Sequence, residues 1–458
     1  MTLPPPVLPE LSTGNRGTRR RAPVSDRPGL SFVTGLSLIG TRRAVALPES
    51  AYYVGIDWGS SEHTVCVLTE AGRVRTEFAI THTAVGFADL IRRLGKLGQA
   101  EDMPVAIERP DGRPVDQLLE AGHPVVPVKS NAIKAWRDAE VLSGAKSDPG
   151  DAMVIAEYLR LRHHKLSPAR PSSGQAKALR TVVRTRDDVV RLRVMATNML
   201  SALLDAFWPG AKTLFADVES PIALDFLTRY PTPVSAAALG ERRMAAFCVK
   251  HSYCGRRSPA DLVKRLRSAP AGVTGESETE AGRDAVIALV TVLRTLATVK
   301  KDLDRSVAAH LGQHPDGRIF TSLPRAGQVN AAQILAEWGD SRTAYGGPDA
   351  VAAFAGVAPV TKASGRMRGV SYRWACNKRL RQAMVTFADN SRHESKWAAD
   401  IYQRARGRGM DHPHAVRVLA RAWIRVIHRC WLNHEPYQPD RHGGLQRLTT
   451  PQPLAQAV

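Results

Sequence analysis

The sequence predicts a mixed α/β fold followed by long helices and a mostly α-helical, basic C-terminal unit. Three observations predict it: apolar runs of strand length start at Tyr52, two long helical repeats occupy the middle, and arginines crowd the segment 319–434. At 458 residues the chain can hold about three domains of roughly 150 residues each. Its 43% hydrophobic content is enough to fill their cores.

Tyr52-Tyr53-Val54-Gly55-Ile56-Asp57 reads as a buried strand, and a second apolar run follows at 63–69. Glu70-Ala71-Gly72 is a turn signal, and residues 73–80 alternate in part, as in a hairpin or meander. A helical pattern at 86–97, a strand at 105–108, a helix at 114–121 and a strand at 124–128 complete a mixed sheet with helices. Over 175–207, Leu179, Val182, Val183, Val190, Met199, Leu203 and Phe207 recur at helical spacing among arginines. Over 283–311, Leu289, Leu293, Leu296, Leu303 and Val307 form a near-heptad seam broken by Lys300, which predicts a coiled-coil-like pairing. Short basic helices such as 260–267 lie in the segment 220–275, which shows no chemistry of its own.

The ends are low in structure signals. Residues 1–50 are Pro-rich, with the basic run Arg19 to Arg21 and a weak apolar stretch at 30–39 that superficially mimics a secretory signal. Glycine and serine break that stretch, so a disordered extension, or a start chosen upstream, is expected. The tail from 437 is Pro-rich and polar, and disorder is expected there too. The division is therefore 1–50 extension, 51–168 sheet domain, 169–315 helical linker with an inserted segment, 316–436 basic domain and 437–458 tail.

Lys and Arg number 64 against 43 Asp and Glu, a formal net charge of +21. Such a surplus draws a protein to polyanions by phosphate neutralisation and counterion release, which makes nucleic acid the default partner. No apolar run approaches the roughly 20 residues that span a bilayer, so integral membrane function is not expected. The five cysteines, Cys66, Cys248, Cys254, Cys376 and Cys430, are too scattered for a disulfide framework, and a reducing cytoplasm fits them. Cys248, His251 and Cys254 match no common zinc spacing and read as ordinary residues.

Four acids stand where a metal site of the ribonuclease-H type wants them: Asp57 on the first strand, Glu108 ending a later one, and Asp148 with Asp151 opening a helix. Divalent cations that drive phosphoryl transfer need several hard oxygen ligands converging from separate elements. The step from Asp148 to Asp151 keeps both on one helix face. Each acid alone has an ordinary reading. Asp148 before Pro149 resembles a helix N-cap, Asp151 could answer the helix dipole, and Asp57 and Glu108 could simply end strands. Together, in this order, they favour a metal site. A rival exists in Gly55-Ile56-Asp57-Trp58-Gly59-Ser60-Ser61, which resembles the first phosphate loop of the sugar-kinase, heat-shock-protein and actin group. That reading needs a second phosphate loop and a Gly-rich adenosine segment, and neither is evident.

In the basic unit, residues 320–327 followed by an apolar helix at 330–338 resemble a helix-hairpin-helix element, which grips phosphate with backbone N–H groups. Arg325 stands where that motif usually has glycine, and a purely structural turn fits equally well. Residues 361–369, Thr-Lys-Ala-Ser-Gly-Arg-Met-Arg-Gly, read as a loop in which Ser364 lies beside Arg366 and Arg368, with Arg373, Lys378, Arg379 and Arg381 following. Arginine forks there could hold a scissile phosphate while a hydroxyl attacks it, or simply bind DNA backbone around a structural serine. A helix at 415–431 carries Arg417, Arg421, Arg425 and Arg429 at steps of four, a basic or merely solvated face.

From Tyr52 to about Tyr437 the chain resembles a DEDD transposase of the insertion-sequence one-hundred-and-ten family, whose RNA-guided members are called bridge recombinases. The resemblance rests on Gly-Ile-Asp at Asp57, Ile-Glu at Glu108, Lys-Ser-Asp-Pro-Gly-Asp at Asp148 and Asp151, and Ala363-Ser364-Gly365. It implies a RuvC-like domain, a coiled-coil linker and a C-terminal transposase domain with Ser364 as nucleophile. It further implies a phosphoserine link to DNA beside magnesium, in a two-metal site, on Asp57, Glu108, Asp148 and Asp151. Composite sites shared between subunits of a homodimer or homotetramer, and a noncoding guide RNA that pairs with target and donor DNA, are implied as well. The expected setting is the bacterial cytoplasm, in association with the nucleoid. Two alternatives stay open: a RuvC-like metal-dependent nuclease in which water attacks, and a degenerate nucleic-acid-binding derivative.

Overall fold

The computed structural model describes residues 47, 49–109, 112–140, 147–169, 172–364 and 367–449. The expectation for 1–50 falls outside them, save for its last few residues. Five strands, β1 (Tyr52–Trp58), β2 (Glu62–Thr69), β3 (Val74–Thr81), β4 (Val105–Ile107) and β5 (Val125–Pro127), form one sheet in the order β3-β2-β1-β4-β5. The short links between β1, β2 and β3 permit only antiparallel pairing. Helices α1 (Ala84–Gly95) and α2 (Arg113–Glu120) carry the chain over to β4 and β5, which run parallel to β1. The mixed sheet expected from the sequence is present, strand for strand.

Alternation along β1 sorts its side chains. Val54 and Ile56 join Phe87, Leu90 and Leu118 in a core under α1 and α2. Tyr53 and Gly55 face the other side, covered by α3 (Ser130–Glu140) and α4 (Asp148–Arg162). A Cβ on Gly55 would stand 2.2 Å from the Ala152 carbonyl oxygen and 2.4 Å from the Ala156 nitrogen, so only glycine lets α4 lie this close on β1.

Helix α5 (Gly174–Phe207) leads into short helices α6 (Pro209–Leu214), α7 (Pro221–Arg229), α8 (Pro233–Ala236), α9 (Glu241–Lys250) and α10 (Pro259–Ser268), and then into α11 (Glu276–Gln313). The two long helices lie antiparallel: Gln175 reaches the Gln313 carbonyl at one end, and Gly282 abuts the Phe207 ring at the other. The Phe207 end closes a core with α6–α10 around Trp208, Phe215, Phe226 and Phe247. Of the expected seam, Leu293 and Val307 are buried, whereas Leu289, Leu296 and Leu303 are half-covered. Lys300, the break in the heptad, pairs with Asp304, which also accepts from Arg186 of α5 at 2.8 Å. Polar contacts thus hold the helix pair where apolar ones thin out.

At the other end, Leu179, Val183, Val307 and Leu311 enter the core of the C-terminal helices: α12 (Gly317–Thr321), α13 (Gly327–Trp338), α14 (Pro348–Phe354), α15 (Lys378–Ser391), α16 (Lys396–Gly407) and α17 (His412–Leu432). Residues 361–364 and 367–369, read from sequence as part of a loop, belong instead to two paired strands, β6 (Val360–Ser364) and β7 (Met367–Ser371). The tail expected from 437 to be disordered holds a helix in its described part, α18 (Gly443–Thr449), and its residues 450–458 fall outside the described ones. Aromatic anchoring is the reason: the His442 ring lies 4.5 Å from Trp397, and its Nδ1 bonds the hydroxyl of buried Tyr437. Among the described residues no helix is long and apolar enough to cross a membrane.

Candidate functional site

The parallel pairing of β1 with β4 sets Ile56 opposite Ile107. Asp57 and Glu108, the next residue on each strand, therefore leave the sheet side by side, at the carboxyl ends of adjacent parallel strands. Asp57 follows Gly55 onto the face covered by α4, where Asp151 immediately precedes Ala152, the residue that touches Gly55. Ser147 caps α4 by accepting from the Gly150 N–H at 3.2 Å, so Asp148 is the first helical residue, exposed, rather than the cap. Asp151, one turn on, is buried and ion-paired with Arg137 of α3. Glu108 accepts from the Ser130 hydroxyl at 2.8 Å. Local folding thus directs three of the acids to one end of the sheet and places Asp148 at the helix mouth.

All four are carboxylates, the donor set that a hard divalent cation takes. In the arrangement described, Arg137 supplies the positive charge at Asp151, and among the described residues no three His, Cys, Asp or Glu side chains stand together as a metal group. The set fits a divalent ion in kind. Cys248, His251 and Cys254 do not form one: His251 lies 2.9 Å from Asp225, and Cys248 is buried in the core.

Ser364 ends β6, paired with Met367 across the hairpin tip. Its side chain is exposed and makes no hydrogen bond among the described residues. Arg366 lies outside the described residues. Arg368 pairs with Ala363 through the backbone register. Arg381 is turned into the fold, donating to the Arg373 carbonyl at 3.2 Å and stacking over Tyr372 at 4.4 Å, with Arg417 over the same ring at 5.0 Å. Burial first, and then Arg417, hold the Arg381 pKa below the ordinary arginine value. Arg421 and Arg425 of the basic row are drawn to Asp349. In the turn before α13, Arg325 adopts φ +55°, the left-handed conformation for which glycine is the usual residue.

Arg373, Lys378 and Arg379 line a cleft of about 990 Å³ together with Lys129 and Asn131, which flank Ser130, and Arg180 and Arg184 of α5. Its floor is Glu337, a buried acid in the apolar helix α13. Arg184 grips that carboxylate with two N–H groups at 2.8 and 3.1 Å, and Asn377 donates to it at 2.7 Å. Despite burial, which acts to raise it, these bonds hold the Glu337 pKa below the usual value. Asn377 in turn caps α15 by accepting from the Arg379 and Leu380 N–H groups. Sequence reading missed this cleft because its residues come from separate segments with no common spacing. The one local signal was an acid inside an apolar helix.

Residues 54–209 match the DEDD transposase model of IS110, described as a transposase, and residues 317–403 match the transposase family IS116/IS110/IS902. The first of these spans Asp57, Glu108, Asp148 and Asp151, and a DEDD transposase domain points to divalent-metal dependence. The chain is 31% identical over 398 residues to a Streptomyces coelicolor protein named "Mini-circle putative transposase for IS117", covering 85% of this chain and 96% of that one. It is 26% identical to an insertion element IS900 42 kDa protein of Mycobacterium paratuberculosis, over 84% of this chain and 97% of that one. An IS110 43.6 kDa protein of Streptomyces coelicolor is likewise 26% identical, over 82% and 92% of the two chains. Sheet, acids, basic hairpin and a similarity that covers 85% of the chain thus converge: the chain belongs to the IS116/IS110/IS902 family of transposases, enzymes of DNA strand transfer.

Proposed function

We propose that this transposase excises and inserts its element through a phosphoserine intermediate formed on Ser364. The serine hydroxyl attacks a DNA phosphorus. An Oγ–P bond forms as the bond from phosphorus to one deoxyribose oxygen breaks, and the serine proton leaves with that oxygen as a hydroxyl. Rejoining reverses the exchange with a hydroxyl of the partner end. The observation that carries this reading is an exposed hydroxyl, without a partner among the described residues, at the end of β6 in an arginine-rich segment. Arg366 and Arg368 flank it in sequence, while Arg373, Lys378 and Arg379 would hold the neighbouring backbone.

Asp57, Glu108, Asp148 and Asp151 would hold magnesium, with enough carboxylates for two ions. When bound, the metal offsets phosphate charge and polarises the P–O bond. The strand order β3-β2-β1-β4-β5, with acids at the ends of β1 and β4, supports a ribonuclease-H or RuvC-like reading of 51–168. In that reading 169–315 links it to a transposase domain at 316–436. The net charge of +21 suits a guide RNA held together with duplex DNA. Assembly as a dimer or tetramer would bring a serine and a carboxylate set from different subunits together. The uncovered Leu192, Met195 and Met199 on one face of α5 support such assembly.

The test incubates protein, magnesium, element-end DNA and RNA transcribed from the element's flanks, and resolves products under denaturing conditions. Wild type should give a protein–DNA adduct that Ser364→Ala and Asp57→Ala both lose, and omission of RNA should reduce it. Cleavage without an adduct, unchanged in Ser364→Ala and abolished in Asp57→Ala, would leave a nuclease in which water attacks.

A further inference from the structure

The cleft above Glu337 is built for more than duplex backbone. Trp374, on its rim, is 77% exposed, and its ring meets Tyr372 at 5.4 Å and 82°. Among the described residues no other ring or guanidinium stacks on it. Lys129 also lines the cleft and, like Arg373 and Lys378, forms no ion pair among the described residues, and a buried Nε–H of Arg373 has no acceptor there. Of the two carboxylates that line the cleft, Glu337 is spent on Arg184 and Asn377, and Asp340 accepts from the Ser173 N–H; against them stand six Lys and Arg side chains, so the surroundings are cationic. A volume of about 990 Å³ has room for a nucleotide.

An indole face beside free cations is complementary to a base joined to a phosphate. In a duplex the faces of each base are already covered by its neighbours, so only an unpaired nucleotide can offer one. We propose that this cleft holds one unpaired nucleotide, its base stacked on Trp374 and its phosphate met by Lys129, Arg373 and Lys378. Ser130, between Lys129 and Asn131, holds Glu108, so the captured nucleotide lies next to one of the four acids. This rests on the strand-transfer reading above, in which paired strands must separate and exchange. The unpaired nucleotide could belong to DNA or to RNA.

The test uses the full-length protein and four probes. These are a DNA duplex with a single bulged 2-aminopurine, the same duplex fully paired, the bulged duplex with an abasic site, and an RNA helix with the same bulge. Wild type should bind the bulged base roughly ten-fold more tightly than the abasic probe and should quench its fluorescence. Trp374→Ala should abolish both the preference and the quenching, Trp374→Phe should keep most of each, and Lys129→Ala should weaken base-bearing and abasic probes alike. Whichever bulge, DNA or RNA, shows the Trp374-dependent quenching names the source. Equal loss on base-bearing and abasic probes in Trp374→Ala, or a change in sedimentation with the preference intact, would overturn the proposal and make Trp374 a general or subunit contact. Those failures leave duplex binding in place, whereas absence of binding to any probe would remove the strand-transfer reading as well.

Discussion

Glu337 shows how one buried charge organises the C-terminal unit. Its carboxylate is 3% exposed and ties α5, through Arg184, to the cap of α15, through Asn377. Removing it leaves a guanidinium and an amide without their acceptor. Arg184 is about a third exposed and can recruit water, so Glu337→Ala should cost about 2 kcal/mol rather than the larger loss of a fully buried pair. The linkage to pH has a definite direction. The folded carboxyl titrates below the usual 4.5, so its contribution is complete above 4.5 and is lost as pH falls through the folded value. Urea midpoints of wild type and Glu337→Gln should therefore differ at pH 6 and converge as pH drops below 4.5. A constant gap across that range would show that the carboxylate charge is not what the site uses.

Among the elements, the contact of α4 on β1 decides where the acids stand. Gly55 lets Ala152 and Ala156 approach the strand, and so sets how closely the first turns of α4, which carry Asp151, lie on β1. Gly55→Ala must push the helix out, because the clash is with backbone and not with a flexible side chain. Overpacking of this kind costs about 1–3 kcal/mol. The variant should show that loss in chemical denaturation and a strongly reduced adduct yield, whereas Gly174→Ala, in open space at the start of α5, should change neither. Period and turn chemistry made this part legible: β1 to β5, α1, α2 and both long helices stand where alternation and helical spacing put them. The β6–β7 hairpin was hidden because Thr361, Ala363, Ser364, Gly369 and Val370 are all exposed, leaving no apolar alternation to read. The pairing of Asp151 with Arg137 and the cleft over Glu337 depend on tertiary approach between distant segments, which no local pattern encodes.

For the molecule as a whole, the surplus of +21 is what sets its reach for nucleic acid. Much of the arginine is already engaged: Arg184 with Glu337, Arg186 with Asp304, and Arg421 with Asp349. Binding therefore draws on cations without an ion pair among the described residues, Lys129 and Lys378 among them. Each phosphate neutralised adds about −0.9 to the slope of log K against log salt on duplex DNA, and six to ten contacts amount to a loss of roughly 10³–10⁵ between 50 and 200 mM. Duplex affinity, followed by anisotropy across that range, should fall by about three orders of magnitude or more. Lys378→Ala should make the slope shallower by about one. Trp374→Ala should leave the slope as it is, because stacking releases no counterions. A duplex slope near zero would mean that the charge is spent on internal pairing or on another polyanion. A Trp374→Ala slope as shallow as that of Lys378→Ala would mean that the indole positions a phosphate contact instead of holding a base.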